Sequence, residues 1–230
     1  MSLTLRAMEP RDVPAVAAID KLSFPTPWPE SAFYRELKRE RATYLVLLHS
    51  SADGPDEPGH GEPGHGEPGQ KEPGQKVPGQ KVPGQQKQGW LQWLFGSVQD
   101  SRVIGYVGFR LEGGAGHITT IALRPEWRGR GLGELLLLTA LERIVEQGVD
   151  AATLEMRPSN DVAHQLYRKY GFEIVKSRWR YYRDGEDAWV MAADVGDEDY
   201  DQRLSHLRQS LENRLDQQAI DVGQIIDQAL

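Results

Sequence analysis

The spacing of apolar positions changes several times along this chain, and each change predicts an element. LTLRAM (residues 3–8) alternates as a half-buried strand does. Residues 10–22 and 30–40 place their apolar side chains three and four apart, as amphipathic helices do, the second through Phe33, Tyr34 and Leu37. TYLVLL (43–48), RVIGYVGFRL (102–111) and AGHITTIAL (115–123) read as strands, the last two joined by a Gly-rich turn. A helix is predicted from about Gly131 to Gln147, stopped by Gly148. Strand ATLEMR (152–157), a helix over 160–170 ended by Gly171, and strands 172–182 and 188–195 follow. This order of elements predicts an α/β fold (an α+β mixed sheet) of about seven strands flanked by helices.

Two segments fall outside that pattern. Between the strands at 43–48 and 102–111, prolines recur every five residues from Pro58 to Pro83, each followed by glycine. With almost no large apolar side chains, the repeat cannot offset the entropy of ordering, which predicts a disordered or loosely extended insert in an enlarged hairpin loop. The aromatic run WLQWLF (90–95) is expected to mark where the chain rejoins the core. His60 and His65 sit in two of the repeats, but nothing would preorganise them as metal ligands, and no metal is expected. At the other end, Leu204, Leu207, Leu211 and Leu215 share one helical face. The boundaries expected are a main folded domain over 1–49 and 101–195, the insert over 50–100 and an acidic helical tail over 196–230. The tail has three open roles: docking on the body, which is preferred, dimerisation, or recruitment of a basic partner.

Charge and composition narrow the class. The net charge is −7, and residues 194–230 hold nine acidic residues against three arginines, so the body is nearly neutral. Neither part has the basic footprint of a nucleic-acid binder. The absence of cysteine excludes disulfides, thiolate metal sites and a covalent cysteine nucleophile. No secretory pattern opens the chain and no apolar run approaches bilayer length, so a cytoplasmic protein without membrane association is expected.

WRGRGLGELLLL (127–138) sets glycines at a helix entrance, where unpaired N–H groups and the helix dipole suit a phosphate. The lysine of a Walker loop is absent, and the glycine spacing is wrong for a dinucleotide fold. Arg128-x-x-Gly131-x-Gly133 resembles the pyrophosphate signature of the GNAT superfamily of N-acetyltransferases. Three further stretches resemble one of its families, the ribosomal-protein-alanine N-acetyltransferases, which acetylate protein N-termini: LEMRPSNDVAHQLYRKYGF (154–172), FPTPWPESAF (24–33) and RWRYYRDGEDAWVM (178–191). The likeness spans about residues 1–49 and 101–195. It departs at Pro29, where the family has Ser or Thr; proline suits the first turn of a helix but offers no hydroxyl to a substrate.

The resemblance implies a GNAT fold and direct transfer from acetyl-CoA to an N-terminal amine in a ternary complex. The small-subunit ribosomal protein is the family's substrate; a lysine, a small amine, or a non-catalytic acetyl-CoA scaffold are the alternatives. It further implies that Arg128, Gly129, Arg130, Gly131, Leu132 and Gly133 cradle the pyrophosphate, and that Ile121 and Leu123 mark the strand facing pantetheine. Glu155 takes the place of general base, directly or through water, and Tyr167 that of the acid for the leaving thiolate. Asn160 either bonds the pantetheine arm or caps its helix. Pro27, Trp28, Tyr181 and Tyr182 are candidate walls of the peptide slot, with packing as the alternative for each.

Overall fold

A computed structural model describes residues 1–50 and 102–226. Eight strands form one mixed sheet in the order β6-β7-β5-β4-β3-β2-β1-β8. They are β1 (Ser2–Ala7), β2 (Ala42–Ser50), β3 (Val103–Glu112), β4 (Ala115–Leu123), β5 (Ala151–Met156), β6 (Glu173–Arg178), β7 (Ala188–Asp194) and β8 (Asp221–Ile226). The first four pair antiparallel in sequence order. β5 runs parallel to β4, and β7 and β6 follow antiparallel.

The helices are α1 (Val13–Ser23), α2 (Glu30–Glu36), α3 (Leu132–Val145), α4 (Asp161–Lys169) and α5 (Glu198–Gln217). One face of the sheet packs against α1 and α2 through Val13, Val16, Ile19, Phe33, Tyr44, Val46 and Tyr106. The other packs against α3, α4 and α5. The run LGELLLLTALERIV is apolar nearly all round because α3 is covered twice: the sheet lies beneath it, and Leu204, Leu211 and Leu215 of α5 close over it.

Polar contacts fix α5 in place. Arg208 forks onto both carboxylate oxygens of Glu142 and reaches Thr139, while Arg214 donates to Glu134 Oε2 at 2.7 Å. Lys169 and Tyr170 at the end of α4 share the other oxygen of that glutamate. Burial opposes ionisation of Glu134, but the bonds from Arg214 and Lys169 outweigh it and hold the carboxyl below its ordinary range.

Three expectations change. The sheet has eight strands, because the tail is not helical throughout: after α5 it turns and lays β8 parallel to β1, covering that edge. The strand expected over 172–182 ends at Arg178, since Arg180 adopts a left-handed φ of 46° and its N–H is held by Asp187. The helix expected over 30–40 stops at Glu36, where the chain turns towards β2. Among the tail's possible roles, docking on the body is the one the structure displays. The proline repeat, its two histidines and WLQWLF lie outside the described residues.

Candidate active site

β4 and β5 pair only from Ala115↔Ala151 to Ile118↔Leu154, after which they part. On its other side β4 has an irregularity at the same level: Gly108 pairs with Thr120 and Phe109 with Ile118, leaving Thr119 as an extra residue. The Thr119 hydroxyl donates to the Gly108 carbonyl at 3.0 Å. Beyond this bulge, β4 offers residues 120–123 as an edge that β5 does not cover, and Ile121 lies on it.

Leu123 is committed differently. Its carbonyl accepts Arg128 Nε at 3.1 Å, and Arg128 Nη2 continues to Ser23 Oγ at 2.9 Å. Arg130 stacks over Trp127 and donates to the Glu126 carbonyl. Both arginines therefore brace the loop, which leaves the backbone to meet a ligand. Gly131, the N-cap of α3, is left-handed at φ 83°, and Leu211 and Leu215 of α5 lie 3.3 and 3.5 Å from where its Cβ would be. Among the described residues, the N–H groups of Gly129 to Glu134 find no acceptor, while that of Leu135 bonds Gly131. Leu132 itself is buried in the core, and Gly133 lies under Leu123. Such a row of free N–H groups at a helix start fits a pyrophosphate.

Glu155 stands just past the point where the strands part. Leu154 and Met156 face the α3 side, so Glu155 points to the opposite face. His117 Nε2 lies 3.1 Å from Oε2 and Arg178 Nη1 3.0 Å from Oε1. The other imidazole nitrogen, Nδ1, is 3.0 Å from Thr153 Oγ1, which orients the ring. The His117 hydrogen bond holds the Glu155 carboxyl below its usual range; burial works against this, and the charges of His117 and Arg178 add to it.

Tyr167 is buried on α4, its ring tilted on Phe172, and among the described residues its hydroxyl takes no hydrogen bond. Burial, with a smaller contribution from Tyr182, pushes its phenol well above the ordinary value. Burial likewise lifts Tyr182, to about 12, with Glu155 among the lesser causes. Tyr182 thus bears electrostatically on both Tyr167 and Glu155.

The turn carrying Tyr181 and Tyr182 is clamped by Arg157, which lies 3.8 Å over the Tyr182 ring and bonds Asp184 and Glu186 at 2.8 and 2.6 Å. Glu186 in turn accepts the Ser159 N–H, next to the start of α4. Tyr181 is half exposed, edge-on to Tyr182. Asn160 caps α4, its Oδ1 accepting the Ala163 N–H at 3.2 Å. Pro27 is exposed, and Trp28 packs on Phe33 at 5.5 Å. Neither makes a hydrogen bond or ring contact with Tyr181 or Tyr182 among the described residues.

His117, Arg157 and Arg178 were not singled out in the sequence. The two arginines lie inside motifs already quoted, so their neighbourhood was a signal. His117 had none, because its place beside Glu155 follows from the parallel register of β4 on β5.

A mixed sheet parted between its fourth and fifth strands, with a glycine-entered helix after the fourth, is the architecture of an N-acetyltransferase. The acetyltransferase (GNAT) family model matches residues 72–172. A Bacillus subtilis (strain 168) protein whose name proposes a ribosomal protein bS18-alanine N-acetyltransferase is 30% identical over 189 residues, 81% of this chain and 92% of its own. The ribosomal-protein-S18-alanine N-acetyltransferase from Escherichia coli superposes with a TM-score of 0.59 at 22% identity, over 85% of this chain and 95% of that one. Arabidopsis thaliana NAA60 in complex with acetyl-CoA gives a TM-score of 0.59 at 13% identity, over 85% and 99%. At those identities the two structures show the shared fold. The chain belongs to the GNAT acetyltransferase family. Among the described residues, no group of side chains could hold a metal ion and no helix is long and apolar enough to cross a membrane.

Proposed function

We propose that this protein transfers the acetyl group of acetyl-CoA to the N-terminal α-amino group of a protein, with the alanine of ribosomal protein bS18 as substrate, in the cytoplasm. The observation that carries the reading is the Glu155 carboxylate, held by His117 and Arg178 just past the point where β4 and β5 part.

Acetyl-CoA enters as a substrate. The free N–H groups of Gly129, Arg130, Gly131, Leu132 and Gly133 receive its pyrophosphate, and the uncovered edge of β4 around Ile121 receives the pantetheine amides. Arg128 acts by bracing that loop, and Asn160 by capping α4. The amine nitrogen attacks the thioester carbonyl; an N–C bond forms and the C–S bond breaks. The amine proton passes to Glu155, directly or through water, and the departing thiolate takes a proton from the Tyr167 hydroxyl. A phenol that burial keeps protonated is in the right state to give it. An α-amine has a pKa of about 7.7–8.0, against about 10.4 for lysine, so a weakly basic carboxylate suits the former. Tyr181 and Tyr182 form one wall of the peptide slot, and Pro27 and Trp28 the other.

The test is intact-mass spectrometry of peptides incubated with the protein and acetyl-CoA. The panel holds free N-termini of Ala, Ser, Thr and Met, an N-blocked peptide with internal lysines, and a polyamine. One acetyl group on the α-amine of the Ala peptide supports the reading. Transfer confined to lysine or polyamine moves the substrate class, and acetyl-CoA binding without any transfer points to a scaffold.

A further inference from the structure

The segment joining α1 to α2, Phe24–Pro29, has proline at 25, 27 and 29, so only Phe24, Thr26 and Trp28 can donate a backbone hydrogen bond. Two of those three donors end on one residue. Phe24 N–H bonds the Asp20 carbonyl at 2.9 Å, and Trp28 N–H bonds Asp20 Oδ2 at 2.6 Å. The second carboxylate oxygen, Oδ1, accepts the hydroxyl of Tyr106, which also lies 3.0 Å from Thr120 Oγ1. Thr120 is the first β4 residue beyond the bulge where the strand leaves β5. The Asp20 carboxylate and the Tyr106 hydroxyl thus tie Trp28 to the cofactor-facing strand at Thr120.

The expense of this arrangement argues for a purpose beyond packing. Asp20 is buried, and among the described residues no cation is a hydrogen-bond partner of it. A buried carboxylate held only by neutral donors is costly compared with an apolar side chain of similar size. A parallel chain on the same face makes the contrast. Glu36 meets Tyr44, whose hydroxyl is 3.1 Å from Thr119, but Arg110 and Arg39 neutralise that glutamate. Tyr44 reaches Thr119 by crossing over Gly108, where a Cβ would lie 2.2 Å from its ring.

We infer that Asp20 is a positioning residue that holds the Phe24–Pro29 loop at a set distance from β4, and so governs affinity for the acceptor peptide more than the rate of transfer. The inference rests on the proposed reading of the site as a transferase for a peptide amine. Asp20 touches neither substrate nor reacting atoms; it acts through Trp28 on one side and through Tyr106 to Thr120 on the other. Alanine there removes both arms. Asparagine keeps both: its oxygen accepts the Trp28 N–H, and its amide donates to Tyr106, which then turns its own hydrogen to Thr120.

The experiment compares wild type, Asp20→Ala, Asp20→Asn and Tyr106→Phe in steady-state kinetics on an alanine-initiated peptide, alongside amide hydrogen exchange of the free proteins. For Asp20→Ala the peptide KM should rise about tenfold, the effect of one lost hydrogen bond to a charged group, with kcat and the acetyl-CoA KM nearly unchanged. Exchange should quicken over residues 24–29 and not elsewhere. Asp20→Asn should restore most of the peptide KM. Tyr106→Phe, which cuts only the β4 arm, should raise it less, and serves if Asp20→Ala does not fold. An unchanged peptide KM in a folded variant overturns the inference, as does a fall in kcat with exchange quickened throughout. Wild type that acetylates no peptide amine overturns the functional reading instead; local exchange at Trp28 then decides whether Asp20 anchors the loop.

Discussion

His117 Nε2 approaches Glu155 Oε2 to 3.1 Å from the neighbouring strand, so the carboxylate at the parted strands meets an imidazole that Thr153 has already oriented. With Arg178 on the other oxygen, the carboxylate is fixed in place and ionised. Glu155→Gln keeps the shape and removes the basicity. It should lower kcat by about 10²–10⁴-fold, the usual worth of a positioned acid or base. Calorimetric affinity for acetyl-CoA should stay within about a factor of two of wild type, since the predicted cofactor contacts are backbone groups of the 129–133 loop. An unchanged kcat would remove Glu155 from the mechanism.

The direction of the Glu155 shift makes a pH prediction. A carboxyl held below its ordinary range is ionised throughout the neutral region, so it contributes no titration there. The rise of kcat/KM with pH should instead follow the peptide amine and level off above about 8. Glu155→Gln should show the same limb with a lower plateau. A limb at about pH 6–7 that disappears in the variant would mean that the carboxyl is raised, contrary to its hydrogen bonds.

Stability carries its own sign. Glu134 and Glu155 both have folded pKa values lowered from the ordinary one. Their contribution is therefore present above the unfolded pKa of about 4.3 and is lost as pH falls through the folded values. Urea midpoints should hold down to about pH 5 and then drop. In Glu134→Gln, whose carboxylate joins α3, α4 and α5, the acid drop should be shallower and start from a lower midpoint.

Gly131→Ala combines two costs. A left-handed φ of 83° is worth about 1–2 kcal/mol against a residue with a Cβ, and that Cβ would press on Leu211 at 3.3 Å. A loss of that size in urea unfolding is expected, with weaker acetyl-CoA binding by calorimetry. Gly131→Asp adds a negative charge where a pyrophosphate is to sit and should abolish binding; retained affinity would overturn the loop assignment.

Leu211 and Leu215 are buried in the same core as α3. Leu211→Ala should cost about 2–5 kcal/mol in denaturant unfolding, the range for a buried leucine. A cost near zero would mean that the tail packs loosely. Because Leu211 also lies beside Gly131, acetyl-CoA affinity should fall with it.

Deleting residues 52–100 and joining the flanks with a short turn should leave folding and transfer intact. β2 and β3 already pair up to Leu48↔Val103, and His49 N–H bonds the Arg102 carbonyl at 2.8 Å. Collapse of the deleted protein on circular dichroism would give the repeat a structural role.

Periodicity and punctuation located most elements to within a few residues. The glycines after α3 and α4 stop those helices, and the alternation in AGHITTIAL reproduces β4 to the residue. Local pattern failed where the reason was not local. The tail's last segment carries too weak an alternation to read as a strand, and it becomes β8 only because β1 offers it an open edge. Residues 179–182 look strand-like, yet Arg157, from the other side of the site, draws Tyr182 into a turn.

By itself, the chain's sequence determined the kinds of elements, the glycine-entered helix and the presence of Glu155, Tyr167 and paired tyrosines, because helix and strand periods and backbone freedom are properties of neighbouring residues. Tertiary structure alone decided that β4 and β5 part at Ile118, that His117 meets Glu155, that Arg128 spends its guanidinium on Leu123 and Ser23, and that Asp20 holds Trp28. Each of these joins groups on different elements. Their distances follow from strand register and from which face each helix covers, and no local spacing in the sequence encodes either.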